Sequence, residues 1–306
     1  MKTTWLGFIN GLLGVAIFSG SLPATRLAVA GFDPLFLTAA RALLAGILAV
    51  GIIAALRPAR PHRNEVNSLA VIAAGVVVGF PLLTALALET ITAARSIVFI
   101  GLLPIATAIF GAMRGGDRPH PMFWLFSVLG SSLVAGYAVA SGGGQASSGD
   151  LYMLAAILIC GLGYAEGAHL SRSLGGWQVI CWALILSLPF MFAGSLFLLP
   201  ATWDGISISS WAGLAYVSVF SMLVGFIFWY RGLAQGGTAA VSQLQLLQPF
   251  MGLCLAALIL GETIDPLMGI VTFGVICSVA LARRYAKRYP DSRTAAKACI
   301  RQSQEP

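Results

Sequence analysis

Along this chain the hydrophobic positions neither alternate nor form stripes; they run. Ten apolar stretches, each close to the roughly 20 residues that a helix needs to cross a bilayer, are divided by short polar interruptions. They cover residues 5–28, 34–56, 67–88, 92–112, 122–140, 150–172, 177–199, 209–234, 238–260 and 266–283, here called spans one to ten. A helix that is apolar all round faces lipid or protein on every side. The pattern therefore predicts an all-α polytopic membrane protein. The first stretch, with Lys2 before it and Ala28-Val29-Ala30 at its end, imitates a secretory leader. It is longer than a leader's apolar core, holds Arg26 and leads directly into further spans, so we read it as a retained first helix.

The ten stretches contain a duplication. Gly79-Phe80 is followed by Thr92-Ala93-Ala94-Arg95-Ser96 and then Pro104; Gly225-Phe226 is followed, at the same spacing, by Thr238-Ala239-Ala240-Val241-Ser242 and then Pro249. Matches at a fixed offset of about half the chain indicate a repeated unit. The expected organisation is a five-helix repeat over 1–140, a Gly/Ser linker over 141–149, a second five-helix repeat over 150–285 and a basic tail over 286–306. Five crossings per unit is odd, so the second copy is inserted upside down relative to the first. Such inverted pairs are the architecture of carriers that expose one site alternately to each side.

Composition fits this placement. Only 9% of residues are charged and 58% are hydrophobic, against roughly 25% charged in soluble domains. Of 18 Lys and Arg, all but Arg26, Arg41 and Arg95 fall on one side, in the loops at Arg57–Arg63 and Arg114–Arg118, at Arg172 and Arg231, and at the two ends. The opposite loops hold Asp33, Glu89, Asp150, Asp204, Glu262 and Asp265. By the positive-inside tendency both termini are cytoplasmic, and helical spans point to an inner (cell) membrane. The basic tail suits anionic lipid and not nucleic acid. The five cysteines have no metal or redox spacing, and no metal or other cofactor is expected.

The 5+5 plan, the paired TAARS and TAAVS segments with their following prolines, and Gly261-Glu262-Thr263 closing span nine together resemble the drug/metabolite transporter superfamily in its ten-helix EamA branch. The position that would match G-E-T in the first repeat reads Arg114-Gly-Gly-Asp117, a departure. The resemblance covers residues 5–285. It implies a secondary transporter that exports amino acids, aromatic ones among them, or related metabolites.

Within that frame the candidate site lies where the chain is irregular at bilayer depth. Pro104 and Pro249 fall near the middle of spans four and nine, where each removes a backbone donor and bends or opens its helix. Ser96 and Phe99 on span four, and Ser242 and Gln245 on span nine, lie on the same stripes as these breaks. Gln248 adds a further amide, and uncompensated amides are costly in hydrocarbon. Phe80, Tyr164 and Trp229 bring rings to the same level, with Phe226, Phe228 and Tyr230 nearby, which suits an amphipathic solute. Glu166, the carboxylate well inside a span, could carry a proton or pair with Arg95 or Arg41. Arg95 itself could meet a substrate carboxylate or anchor its helix. Gly7-x-x-x-Gly11 and Gly75-x-x-x-Gly79 have the spacing that lets helices touch.

The function expected is alternating-access export by a monomer or weak homo-oligomer. A sugar-phosphate or nucleotide-sugar carrier would want paired cations at the midplane, and no lysine lies inside a span. An intramembrane enzyme would want His, Asp or Glu clustered at one depth, and Glu166 with His169 is a thin cluster. A channel would want a polar stripe across the whole membrane.

Overall fold

The computed structural model describes residues 2–115, 120–141, 147–236, 242–263 and 265–285. Among these the secondary structure is helical with no strand, in ten rods at the ten predicted spans. The repeats are inverted, and the packing obeys the pseudo-two-fold axis. Span one lies along span eight as span three lies along span six, while two packs on seven, four on nine and five on ten. The linker residues 142–146, the Thr238–Val241 segment and the tail from 286 onward fall outside the described residues.

The rods are interrupted at matching places. Span three changes from α-helix (Arg63–Ile72) to a π-helical stretch (Ala73–Gly79) and back (Phe80–Thr90). Span eight does the same over Ile208–Ala215, Tyr216–Val224 and Gly225–Gly236. Both π segments end at the Gly-Phe pair. In each case the glycine is pressed by the neighbouring rod: a Cβ on Gly79 would stand 2.9 Å from Ile159 of span six, and one on Gly225 would stand 2.7 Å from Phe18 of span one. Span four breaks between Ala93–Ile100 and Leu103–Gly115. Span nine runs as a 3-10 helix over Ser242–Leu247 before Gln248–Leu260. Each restarts one residue before its proline, where the missing N–H belongs to a first turn and costs nothing. The expected bends at Pro104 and Pro249 thus take the form of helix restarts. Span one carries a break not foreseen, at Gly20 between Lys2–Ser19 and Ser21–Val29.

The lipid-facing surface is apolar, with Ile208 87% and Phe197 89% exposed. Trp203 and Trp211 stack at 5.8 Å beside Phe32 and Phe36, an aromatic cluster of the kind that marks a membrane boundary. Inside, hydroxyls satisfy themselves on their own helix: Thr38, Ser187 and Ser278 each donate to the carbonyl four residues back. Close approach comes from small residues, as where Gly7 and Gly11 of span one lie against Gly232 of span eight.

Candidate functional site

At the seam between the repeats lies a buried cavity of about 30 Å³ whose wall draws on spans one, two, three, four, six, eight and nine. That volume holds a water or two, against the hundreds of Å³ of a loaded small-molecule pocket. The conformation is therefore occluded and nearly empty of space. A pocket of about 410 Å³ beside Thr92 and Asp265 and another of about 520 Å³ beside Leu56 and Arg231 occupy opposite ends of the bundle. Among the described residues neither shares a lining residue with the central cavity.

The cavity wall is made largely of symmetry mates. Phe18 and Tyr164, Val76 and Met222, and Phe80 and Phe226 each stand at the offset of the Gly-Phe repeat, and Leu103 and Gln248 at that of the prolines. Three of its rings form a continuous surface, Phe226 standing 4.8 Å from Phe18 and Tyr164 meeting Phe226 edge-on at 5.9 Å, and Phe80 lines the same cavity. Leu103 and Gln248 are the first residues of the two half-helices, so the positive ends of two helix dipoles reach the cavity. The polar residues depart from the symmetry. Ser21 and Ser221 bond to each other across the repeats at 2.8 Å. Arg41 of span two is 3% exposed, yet span seven, the mate of span two, contains no Lys or Arg.

Of the residues singled out in the sequence, Phe80, Tyr164 and Gln248 line the cavity. Gln248 Oε1 is buried without a hydrogen-bond partner, and the Gln248 carbonyl accepts from Ser19 Oγ at 3.4 Å. Gln245 is buried, with its Nε2 also unpartnered, but is not part of the cavity wall. Ser96 is fully buried and donates to the Thr92 carbonyl at 3.1 Å on its own helix. Phe99 is 1% exposed in the core, and Trp229 packs its edge on Phe18 at 6.3 Å, one shell behind the wall. Pro249 is buried in the first turn of its half-helix. The Pro104 and Ser242 side chains lie outside the described residues. Glu166 is 1% exposed on span six, two residues beyond Tyr164. Arg41, Ser21 and Ser221 were not among the predicted site residues.

Both ends of the seam are closed by contacts between the repeats. At one end the G-E-T sequence acquires a physical meaning. Gly261 takes a left-handed conformation (φ 64°) to end span nine, and the chain turns so that Glu262 accepts from the N–H groups of Ala93 and Ala94 at 3.0 and 2.8 Å. A carboxylate there caps span four together with Thr92, whose hydroxyl accepts from Arg95 N–H. Beside it Arg95 grips Asp150 with a two-pronged bond, at 2.9 Å from Nε and 2.6 Å from Nη2. On the same side but within the first repeat, Arg26 of span one donates to the Leu88 carbonyl of span three. At the other end Asn10 donates to Gln235 at 2.9 Å and Ser173 to Glu65 at 2.9 Å.

Comparison with known proteins agrees with this architecture. The sequence matches the EamA-like transporter family twice, over residues 5–138 and 147–284. It is 61% identical to the uncharacterized transporter YdeK of Bacillus subtilis, across 94% of this chain and all of that one. It is 24% identical to a probable terminal-alkyne amino-acid exporter of Streptantibioticus cattleyicolor, across 92% of this chain and 97% of the relative. A solved crystal structure 17% identical in sequence shares the fold at a TM-score of 0.63, covering 92% of this chain and 97% of its own.

Proposed function

The chain belongs to the EamA-like transporter family of the drug/metabolite transporter superfamily, and from that premise we propose that it exports small amphipathic solutes, amino acids first among them. It is a multi-pass membrane transporter; the cargo, direction and sidedness are our reading. The observation that carries it is the closed cavity on the seam between inverted repeats, walled by symmetry mates and sealed at both ends by bonds from one repeat to the other. A site of this kind opens to either side by rocking one repeat against the other. Rings around the cavity favour an apolar or aromatic side chain, and the name of the Streptantibioticus relative supports an amino acid. In this reading, supported by the basic loops, the termini and the Asn10–Gln235 end face the cytoplasm of a cell whose inner membrane holds the protein, and the Glu262 end faces outward. Glu166 is the coupling carboxyl in this reading.

Proteoliposomes given a panel of labelled amino acids, with and without an imposed pH gradient, test the proposal. Counterflow of apolar and aromatic members is expected, accelerated by the gradient in wild type and not in Glu166→Gln. Gln245→Leu is expected to insert normally and to carry less. A silent panel removes amino acids as cargo, and flux indifferent to pH removes Glu166 from the mechanism.

A further inference from the structure

Arg41 has an environment that a structural arginine avoids. It sits about 10 Å along span two from its start at Pro34, in the wall of the central cavity, and is 3% exposed. Its described hydrogen bond runs from Nη2 to the Val217 carbonyl at 3.3 Å, and Nε has no partner. Among the described residues no acidic side chain lines the cavity, and Arg41 takes no part in the ion pair between Arg95 and Asp150. A buried guanidinium facing neutral neighbours is costly to keep, and it is kept where a ligand supplies the missing anion. The rest of the wall points the same way. The half-helices beginning at Leu103 and Gln248 bring positive dipole ends to the cavity, and discontinuous helices in carriers turn such ends toward anionic groups. Span seven has no basic counterpart, so the guanidinium is an addition to an otherwise symmetric chamber and not a consequence of the duplication.

We infer that Arg41 is the anchor for a carboxylate on the transported solute, with the rings of Phe18, Phe80, Tyr164 and Phe226 receiving its apolar part. This rests on the transporter reading above and deepens it to a charge and a shape. The guanidinium offers parallel N–H donors to both carboxylate oxygens, and the unpartnered Oε1 of Gln248 accepts from a donor elsewhere on the same molecule. With so little free volume in the occluded state, binding must part the repeats enough to admit the solute. The carboxylate then supplies Arg41 with the partner that the empty chamber lacks, and favours reclosure around a loaded site.

The test uses purified full-length protein in detergent or nanodiscs and three probes of one shape: L-phenylalanine, 3-phenylpropionate, which lacks the amine, and L-phenylalaninamide, which lacks the carboxylate. Both carboxylates are expected to raise the melting temperature and to bind at least tenfold tighter than the amide. Arg41→Met is expected to lose that advantage, and Arg41→Lys, which keeps the charge without the fork, to retain part of it. Arg41→Lys also covers the case in which Arg41→Met does not fold. Equal stabilisation by the amide, unchanged carboxylate affinity in the variants, or silence from both carboxylates overturns the assignment. Flux in proteoliposomes separates the two readings. A wild type that binds the carboxylates but carries no amino acid leaves Arg41 standing and sinks amino-acid export. Amino-acid flux at an unchanged KM in Arg41→Lys does the reverse.

Discussion

At the end of the seam where span four begins and span nine ends, the repeats are joined by charge: the Glu262 carboxylate on two backbone donors of span four, and the Arg95 fork on Asp150. At the opposite end, among the described residues, the joins are a neutral amide pair, Asn10 with Gln235, and one hydroxyl, Ser173, on the Glu65 carboxylate, a single charge-assisted bond that its exposure to solvent weakens. The duplication would allow equal closures, so the difference is a departure from symmetry that biases an equilibrium. Charge-assisted bonds are roughly twice as strong as neutral ones. An occluded carrier with a strong latch at one end and a weak one at the other opens more readily at the weak end. If the weak latch faces the cytoplasm, as proposed above, the empty protein stands ready to load from inside, which is what an exporter requires.

Removing the strong latch should have the largest effect. Glu262→Ala leaves the N–H groups of Ala93 and Ala94, themselves almost fully buried, without acceptors. The expected cost to the closed state is about 2 kcal/mol, or roughly a thirtyfold rise in the population open at that end. A cysteine at Ile100 in the cavity wall, in a background with the five native cysteines replaced, reports it through an impermeant maleimide added from either side of sealed vesicles. Labelling that does not rise in Glu262→Ala shows that the cap is not the latch.

The next effect belongs to Arg95 and Asp150. The arginine is 12% exposed, so solvent weakens the pair, and about 1 kcal/mol is expected. Asp150 also accepts from the Ser147 N–H at the start of span six, so Asp150→Asn alone mixes loss of a helix cap with loss of the pair. A double-mutant cycle with Arg95→Gln isolates the coupling. Effects on labelling rate that simply multiply, as additive free energies require, would show that the two side chains close nothing together.

How much of this could be read from residues alone follows from what each feature depends on. The ten spans and their inverted halves depend on apolar run length and on a repeated pattern, both local properties, and the paired helix breaks depend on prolines whose missing N–H acts wherever the chain goes. The π segments depend on how Gly79 meets Ile159 and Gly225 meets Phe18, which no stretch of one helix contains. The stripe through Ser96 and Phe99 is buried, but the cavity wall takes its span-four residues from the helix break beyond it, at Ile100 and Leu103. Arg41 was visible as an intramembrane charge without a direction. Span two is apolar all round, so periodicity assigns it no inner face, and only its packing against spans seven and eight turns Arg41 toward the chamber. Glu262 was legible as part of a motif, and its chemistry became legible only once the start of span four lay across from it.

The smallest effect is expected at the weak end, and its direction matters more than its size. Asn10→Leu removes the donor to Gln235 Oε1 at a partly buried site beside the close contact of Gly7 and Gly11 with Gly232. A neutral hydrogen bond contributes about 0.5–1.5 kcal/mol net, and the leucine recovers some of that through packing, so roughly a twofold change is expected. Labelling of the same Ile100 cysteine should rise for reagent presented on the Asn10 side and should not rise on the Glu262 side, the mirror image of Glu262→Ala. If both variants admit the reagent from one side, the two closures do not gate opposite mouths, and the difference in their chemistry says nothing about which way the carrier rests.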